Sequence, residues 1–260
     1  MATSASPVVH SDVPLDHVIF YAGQALDALA SIFERAGFTL TPLGRHSSGS
    51  VNRLAILERQ YLELIGFEPG TPATVRPELQ SLPLGLSGIA LADREDRAGH
   101  SGSEAFMPSR RLERPVAMPG VQGLAAFTTT ELRHPVPDVR VFLCRHHTPQ
   151  LVWHPAWQRH ANGALAASDM GLHTRDAPGL HAALRTVLDL DPAQEGTVYD
   201  AAGTRLRIAA AGERASITLR THDLDAVRRV LAASGLPHAA GEGRVSVPLP
   251  APYAAEIVFT

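Results

Sequence analysis

The order of apolar and polar positions writes one unit at both ends of the chain. Near the start, His17-Val18-Ile19-Phe20-Tyr21 reads as a short buried strand, followed by LDALASIFERAGF at 26–38. Leu26, Leu29, Ala30 and Phe33 fall at i, i+3, i+4 and i+7, one face of a helix. Gly37 stands where a helix end favours a left-handed residue. Near the other end, Ser216-Ile217-Thr218-Leu219 is a strand, and LDAVRRVLAASGL at 224–236 repeats the helix and closes on Gly235. After the first helix come FTLTPLGR, SVNRLAIL and QYLELIGF; after the last come LPHAAGEG, RVSVPLP and YAAEIVF. Each block is strand, helix and three strands, and each final strand carries one glutamate, Glu63 or Glu256.

Two blocks between them are fainter. LSGIALADRE, from Leu86, opens the second, and VQGLAAFTTTEL and DVRVFLCRHH give it two further strands. Its helix, expected before Met107, is weak in Gly- and Ser-rich sequence. The third has the strand GALAASDMGL, the helix APGLHAALRTVLDL and a hairpin around Ala202-Gly203, with no obvious fourth strand. The segment before Pro14 reads as a frayed tail without the basic and apolar regions of a secretory signal. The expected architecture is α+β: repeated βαβββ modules forming curved mixed sheets with helices on the outer face. Modules one and two would make a domain over 15–155, and modules three and four a second over 160–260. Pairing first with second and third with fourth is simplest; first with fourth stays open and alone would bring Glu256 near His17.

A strand–helix–three-strand unit covers one sheet face with its helix, so two such sheets edge to edge enclose a cup on the other. Residues two apart on a strand share a face. That groups Leu15, His17 and Ile19, and likewise Tyr61, Glu63 and Ile65. A buried carboxylate is costly unless paired or bound to a cation. With an imidazole it suits a divalent ion such as Zn, Fe, Mn or Ni. Either residue could equally be structural, His17 as a hydrogen-bond former and Glu63 facing solvent.

Composition narrows the classes. A net charge of −3 gives no electrostatic footprint for nucleic acid, and no apolar run approaches the roughly 20 residues needed to cross a membrane. Cys144 is the only cysteine, which excludes an internal disulfide and fits a reducing cytoplasm. Walker and dinucleotide glycine motifs, a Gly-x-Ser-x-Gly elbow and a zinc-protease His pair are all absent from the sequence.

LDHVIFYAGQALDALASIFERAGFTLTPLGRH, then GSVNRL and YLELIGF, resembles the opening of the glyoxalase-like domain family of the vicinal-oxygen-chelate superfamily. The likeness continues through VFLCRHHTPQLVWHP and HANGA, and the last block looks like a closing module of such proteins. The resemblance implies a divalent metal held by a His or Gln on a first strand and a Glu on a last strand of paired modules. His17, Glu63 and Glu256 fall on such positions; Ala215 stands where a second first-strand His would align. His146, at the end of a second-module strand, is the expected partner ligand. Asn52 and Arg53, in the Gly-Ser-x-Asn-Arg stretch, are candidate substrate anchors, with Trp153 and His160 as pocket lining. Arg110, Arg111 and Arg114 could grip a carboxylate or phosphate, or form an exposed cluster on a loop.

The resemblance thus implies a metal-dependent lyase, isomerase or dioxygenase that chelates vicinal oxygens of a small molecule. A non-catalytic small-molecule binding or resistance protein of the same fold is the alternative. A homodimer stays open.

Overall fold

A computed structural model describes residues 7–94, 104–118, 121–191, 194, 196–209 and 213–260. The first block folds as β2 (Leu15–Tyr21), α1 (Leu26–Arg35), β3 (Gly44–Arg45), β4 (Val51–Ile56) and β5 (Tyr61–Gly66). A short helix, α2 (Pro77–Gln80), leads into β6 (Gly85–Ala92), β7 (Arg110–Met118), β8 (Val121–Glu131) and β9 (Arg140–His146). These strands form one eight-stranded sheet in the order β3-β4-β5-β2-β6-β9-β8-β7. Its two edges curl toward each other until β3 packs on β7, so the cup is nearly closed. Most of the second-module helix expected before Met107 lies outside the described residues.

The second sheet runs β1-β11-β12-β10-β13-β16-β15-β14. It contains β10 (Ala164–Leu172), α3 (Ala177–Val187), β11 (Val198–Ala201) and β12 (Thr204–Ile208), then β13 (Ala215–Thr221), α4 (Leu224–Ser234), β14 (Ala239–Gly241), β15 (Arg244–Pro248) and β16 (Ala255–Phe259). Modules therefore pair first with second and third with fourth. The fourth strand missing from the third block comes from the chain's other end. β1 (Val8–Ser11), expected as frayed tail, runs parallel to β11 with Val9 buried.

The helices lie opposite the cups because their apolar stripes face that way. Leu26, Leu29, Ala30 and Phe33 of α1 are all buried. They share one continuous core with Leu180 and Leu184 of α3 and Val227 and Leu231 of α4. The helical faces of both sheets thus form the interior between the halves. Gly37 and Gly235 have φ of +88° and +65°, the left-handed residues that end α1 and α4.

Two strand details differ from the sequence expectation. The segment with Arg110, Arg111 and Arg114 is a strand, not a loop: alternation turns Arg114 inward, while Arg111 pairs outside with Glu113. On β2, the register against β6 jumps between Leu15↔Leu91 and His17↔Ala90. Asp16 is the extra residue of this bulge. Leu15 consequently joins the helix-side core with Val18 and Phe20, while Ile19 and Tyr21 pack on the other face.

Candidate metal and substrate site

The cup of the first sheet narrows to a cavity of about 40 Å³ lined by His17, His46, Glu63, Arg114, Phe142 and His146, among others. His17 comes from the first strand of module one, Glu63 from its last, and His146 from the end of β9. His17 is 3 % exposed and stacks on Tyr61 with ring centroids 4.4 Å apart. Its Nδ1 lies 2.6 Å from Asp16 Oδ1, and the same oxygen lies 3.2 Å from His146 Nε2. Burial works to raise the Asp16 pKa, but the charges and hydrogen bonds of His146 and His17 overcome it and hold the carboxyl far below the usual range. An ionised carboxylate only accepts, so His17 Nδ1 carries the proton that it donates to Asp16.

Nε2, the ring atom that Asp16 does not engage, faces Glu63 Oε2 at 3.6 Å. Burial also opposes ionisation of Glu63, yet the charges of His17 and His46 and a hydrogen bond from Asn52 lower its pKa. Asn52 Nδ2 donates to Glu63 Oε1 at 2.7 Å. Two electron-rich atoms facing each other in a buried site repel unless a proton or a cation lies between them. Ligands about 2.1 Å from a shared ion at tetrahedral angles are about 3.4 Å apart, so the spacing fits a metal. A second grouping, Asp16, His17, Cys144 and His146, has donor atoms all within 4.8 Å of one another. Its closest pair, the 2.6 Å contact of Asp16 with His17, is a hydrogen bond and too short for two comfortable cis ligands. Asp16 fits better as the carboxylate that orients both rings.

His46 was not singled out from the sequence. It sits in the turn before Ser50, with Nδ1 at 2.9 Å from Ser50 Oγ and Nε2 at 3.3 Å from Asn52 Nδ2. Burial, countered by the Glu63 charge and reinforced by Arg114, Arg76 and Arg140, lowers its pKa to about 4. Neutral His46 thus donates to Ser50 and accepts from Asn52, which fixes the amide that holds Glu63. Asp16 was also missed. Strict alternation would turn it away from His17, and no Gly marks the bulge. Cys144, noted in the sequence only as the single cysteine, lies 3.7 Å from His146 Nε2; burial, with the Asp16 and Glu63 charges, pushes its thiol well up.

Other expected site residues lie elsewhere. Glu256 is on β16 in the second sheet, in register with Ser216 and Pro248. It is absent from the cup because module four pairs with module three. Arg53 projects from the helix side of β4, opposite Asn52, with Asp27 at 3.5 Å. His160 is an internal tie: Nδ1 accepts from the Thr39 N–H at 3.0 Å and Nε2 donates to the Ile56 carbonyl at 2.9 Å. Trp153 does border the site, its ring 4.9 Å from His146 and 5.7 Å from Tyr61.

The sequence model of the glyoxalase-like domain matches residues 15–188. The chain belongs to the glyoxalase-like domain family. Its paired curved sheets are those of the vicinal-oxygen-chelate superfamily. A hypothetical protein from Staphylococcus aureus superposes with a TM-score of 0.63 at 15% identity, covering 95% of this chain and 99% of its own. A variant of 4-hydroxymandelate synthase from Streptomyces coelicolor gives 0.53 at 13%, covering 96% and 93%. Homoprotocatechuate 2,3-dioxygenase from Arthrobacter globiformis gives 0.50 at 14%, covering 98% and 82%. At these identities the likeness is one of fold. No curated protein sequence matches the chain. Among the described residues, no helix is long and apolar enough to cross a membrane.

Proposed function

We propose that this glyoxalase-like protein is a metal-dependent enzyme acting on a small oxygen-rich molecule, with its reacting centre in the cup of the first sheet. The facing of His17 Nε2 and Glu63 Oε2 at 3.6 Å carries the reading. His17 and Glu63 hold a divalent ion, of the Zn, Fe, Mn or Ni group, and His146 completes the set from the second module. Bound there, the ion supplies Lewis-acid chemistry to two neighbouring substrate oxygens. The chain's own residues do the rest. Asp16 orients the imidazoles, Asn52 fixes the carboxylate, and Tyr61, Phe142 and Trp153 exclude water. Cytoplasmic residence belongs to the same proposal, on the strength of the single cysteine.

The test is metal analysis of protein purified without chelator or nickel resin. Wild type and Cys144→Ser carry about one equivalent, while His17→Ala and Glu63→Gln lose it. Retention by His17→Ala, or loss in Cys144→Ser alone, refutes this ligand set. Substoichiometric metal in wild type ends the enzyme reading and leaves a metal-free small-molecule binder.

A further inference from the structure

Three arginines line the cup, and two bring their own carboxylates. Arg140 pairs with Glu131 and lies over the Phe142 ring, 3.8 Å from its centroid. Arg76 donates to Glu78 and to Ser50 Oγ, each at 3.0 Å. Arg114 is 7 % exposed, yet among the described residues its guanidinium has neither a hydrogen bond nor an ion pair. Glu63, the carboxylate lining the same cavity, is held by Asn52 and turned toward His17. A buried cation with neither a hydrogen bond nor a close ion pair is costly. Burial lowers the Arg114 pKa against the pull of Tyr61 and Glu63, in keeping with incomplete compensation.

The location of this charge says what it meets. On one side is the cavity with His17 and Glu63; on the other is a largely apolar cleft of about 250 Å³, walled by Leu43, Leu54, Val116, Leu151, Val152 and Trp157. The guanidinium rests against the β3 backbone: a Cβ on Gly44 would lie 2.5 Å from Arg114 Nη1 and 2.4 Å from Asn52 Oδ1. Glycine there leaves the group room and a fixed position.

We propose that Arg114 anchors the carboxylate of an apolar carboxylic acid whose body occupies the adjoining cleft. This names the substrate class of the proposed enzyme and rests on that reading only for where the reacting end lies. One free guanidinium offers two parallel donors that match a planar carboxylate. A phosphate dianion would call for a second free cation, and Arg76 and Arg140 are already neutralised.

The probes are benzoate, its neutral isostere benzamide, and phenyl phosphate, titrated by calorimetry and tryptophan fluorescence into chelator-treated protein. Wild type binds benzoate at least about tenfold more tightly than benzamide, as a hydrogen-bonded charge pair should give. In Arg114→Gln the ratio falls to about one. Equal binding of the pair by wild type, absence of benzoate binding, a ratio kept in Arg114→Gln, or tighter phenyl phosphate binding each overturns the proposal. Arg114→Met gives an independent reading without ligand: removing an unpartnered cation raises Tm, and a lowered Tm marks a structural arginine instead. Metal content separates the two ideas. A wild type that purifies without metal yet prefers benzoate sinks only the metal reading, whereas one that purifies with metal but shows no preference after chelation sinks only the anchor.

Discussion

Replacing His46 by glutamine perturbs a group whose protonation the fold suppresses. Burial lowers the folded pKa from the ordinary 6.5 to about 4. The unfolded chain therefore takes up this proton first as pH falls, and stability declines from about pH 6.5 until the folded imidazole titrates near 4. The full difference of about 2.5 units corresponds to about 3 kcal/mol at about 1.4 kcal/mol per unit. Between pH 8 and pH 5 the share expressed is about 2 kcal/mol, because at pH 5 the unfolded imidazole is almost fully protonated and the folded one almost fully neutral. For a chain of this size that is roughly 4–8 °C in Tm. Asp16 and Glu63 do not blur the window. Their folded pKa values are lowered, so the stability they add is present above the unfolded carboxylate range and lost only below it. The assay is thermal or urea unfolding of chelator-treated wild type and His46→Gln across pH 5 to 8. Wild type should lose about 2 kcal/mol more than the variant on acidification. Identical slopes would mean that His46 is protonated in the folded protein, and the neutral link from Ser50 through Asn52 to Glu63 would be wrong.

Other substitutions probe the remaining layers. Phe33→Ala, at a fully buried position packed edge-on to Phe20, should cost about 3–5 kcal/mol in urea unfolding; a loss under about 1 kcal/mol would contradict a tight helix–sheet core. Gln60→Ala removes the amide that donates to Thr204 Oγ1 and accepts from the Ala167 N–H, both at 2.9 Å. Stranding those buried groups should cost about 1–3 kcal/mol and speed hydrogen exchange at Ala167, and unchanged exchange there would refute the link. Asp16→Asn keeps the shape but not the charge that orients His17 and His146, so metal affinity by competition titration should drop about 10–100-fold; undiminished affinity would reduce Asp16 to a bystander.

The repeated unit was legible because its signal is local. Helix periodicity at Leu26, Leu29, Ala30 and Phe33 and the glycines after both helices depend on neighbours a few residues away. His17 and Glu63 could be grouped for the same reason, each holding the same place in a module's strand order. What escaped needs contacts between distant segments. The partner of β11 is supplied by residues about 190 positions earlier, and the side of the sheet Asp16 faces is decided by a register jump against β6. Arg114 read as part of a charged loop because Pro115 interrupts an already polar run; only pairing with β8 makes the segment a strand and buries every second side chain. Glu256 occupies the expected module position, but which modules share a sheet is a tertiary choice that composition does not encode.

The crossing of β1 makes the two halves unequal partners. Residues 15–155 hold all their sheet strands within themselves, whereas a fragment of 160–260 would present β11 as a bare edge. Unpaired edges recruit other strands, so deleting residues 1–11 from the full chain should bare β11 and promote self-association in sedimentation, and a chain that stays monomeric would refute this role for β1. The leading segment thus acts as a clasp: it precedes the first lobe in the chain yet closes the sheet of the second.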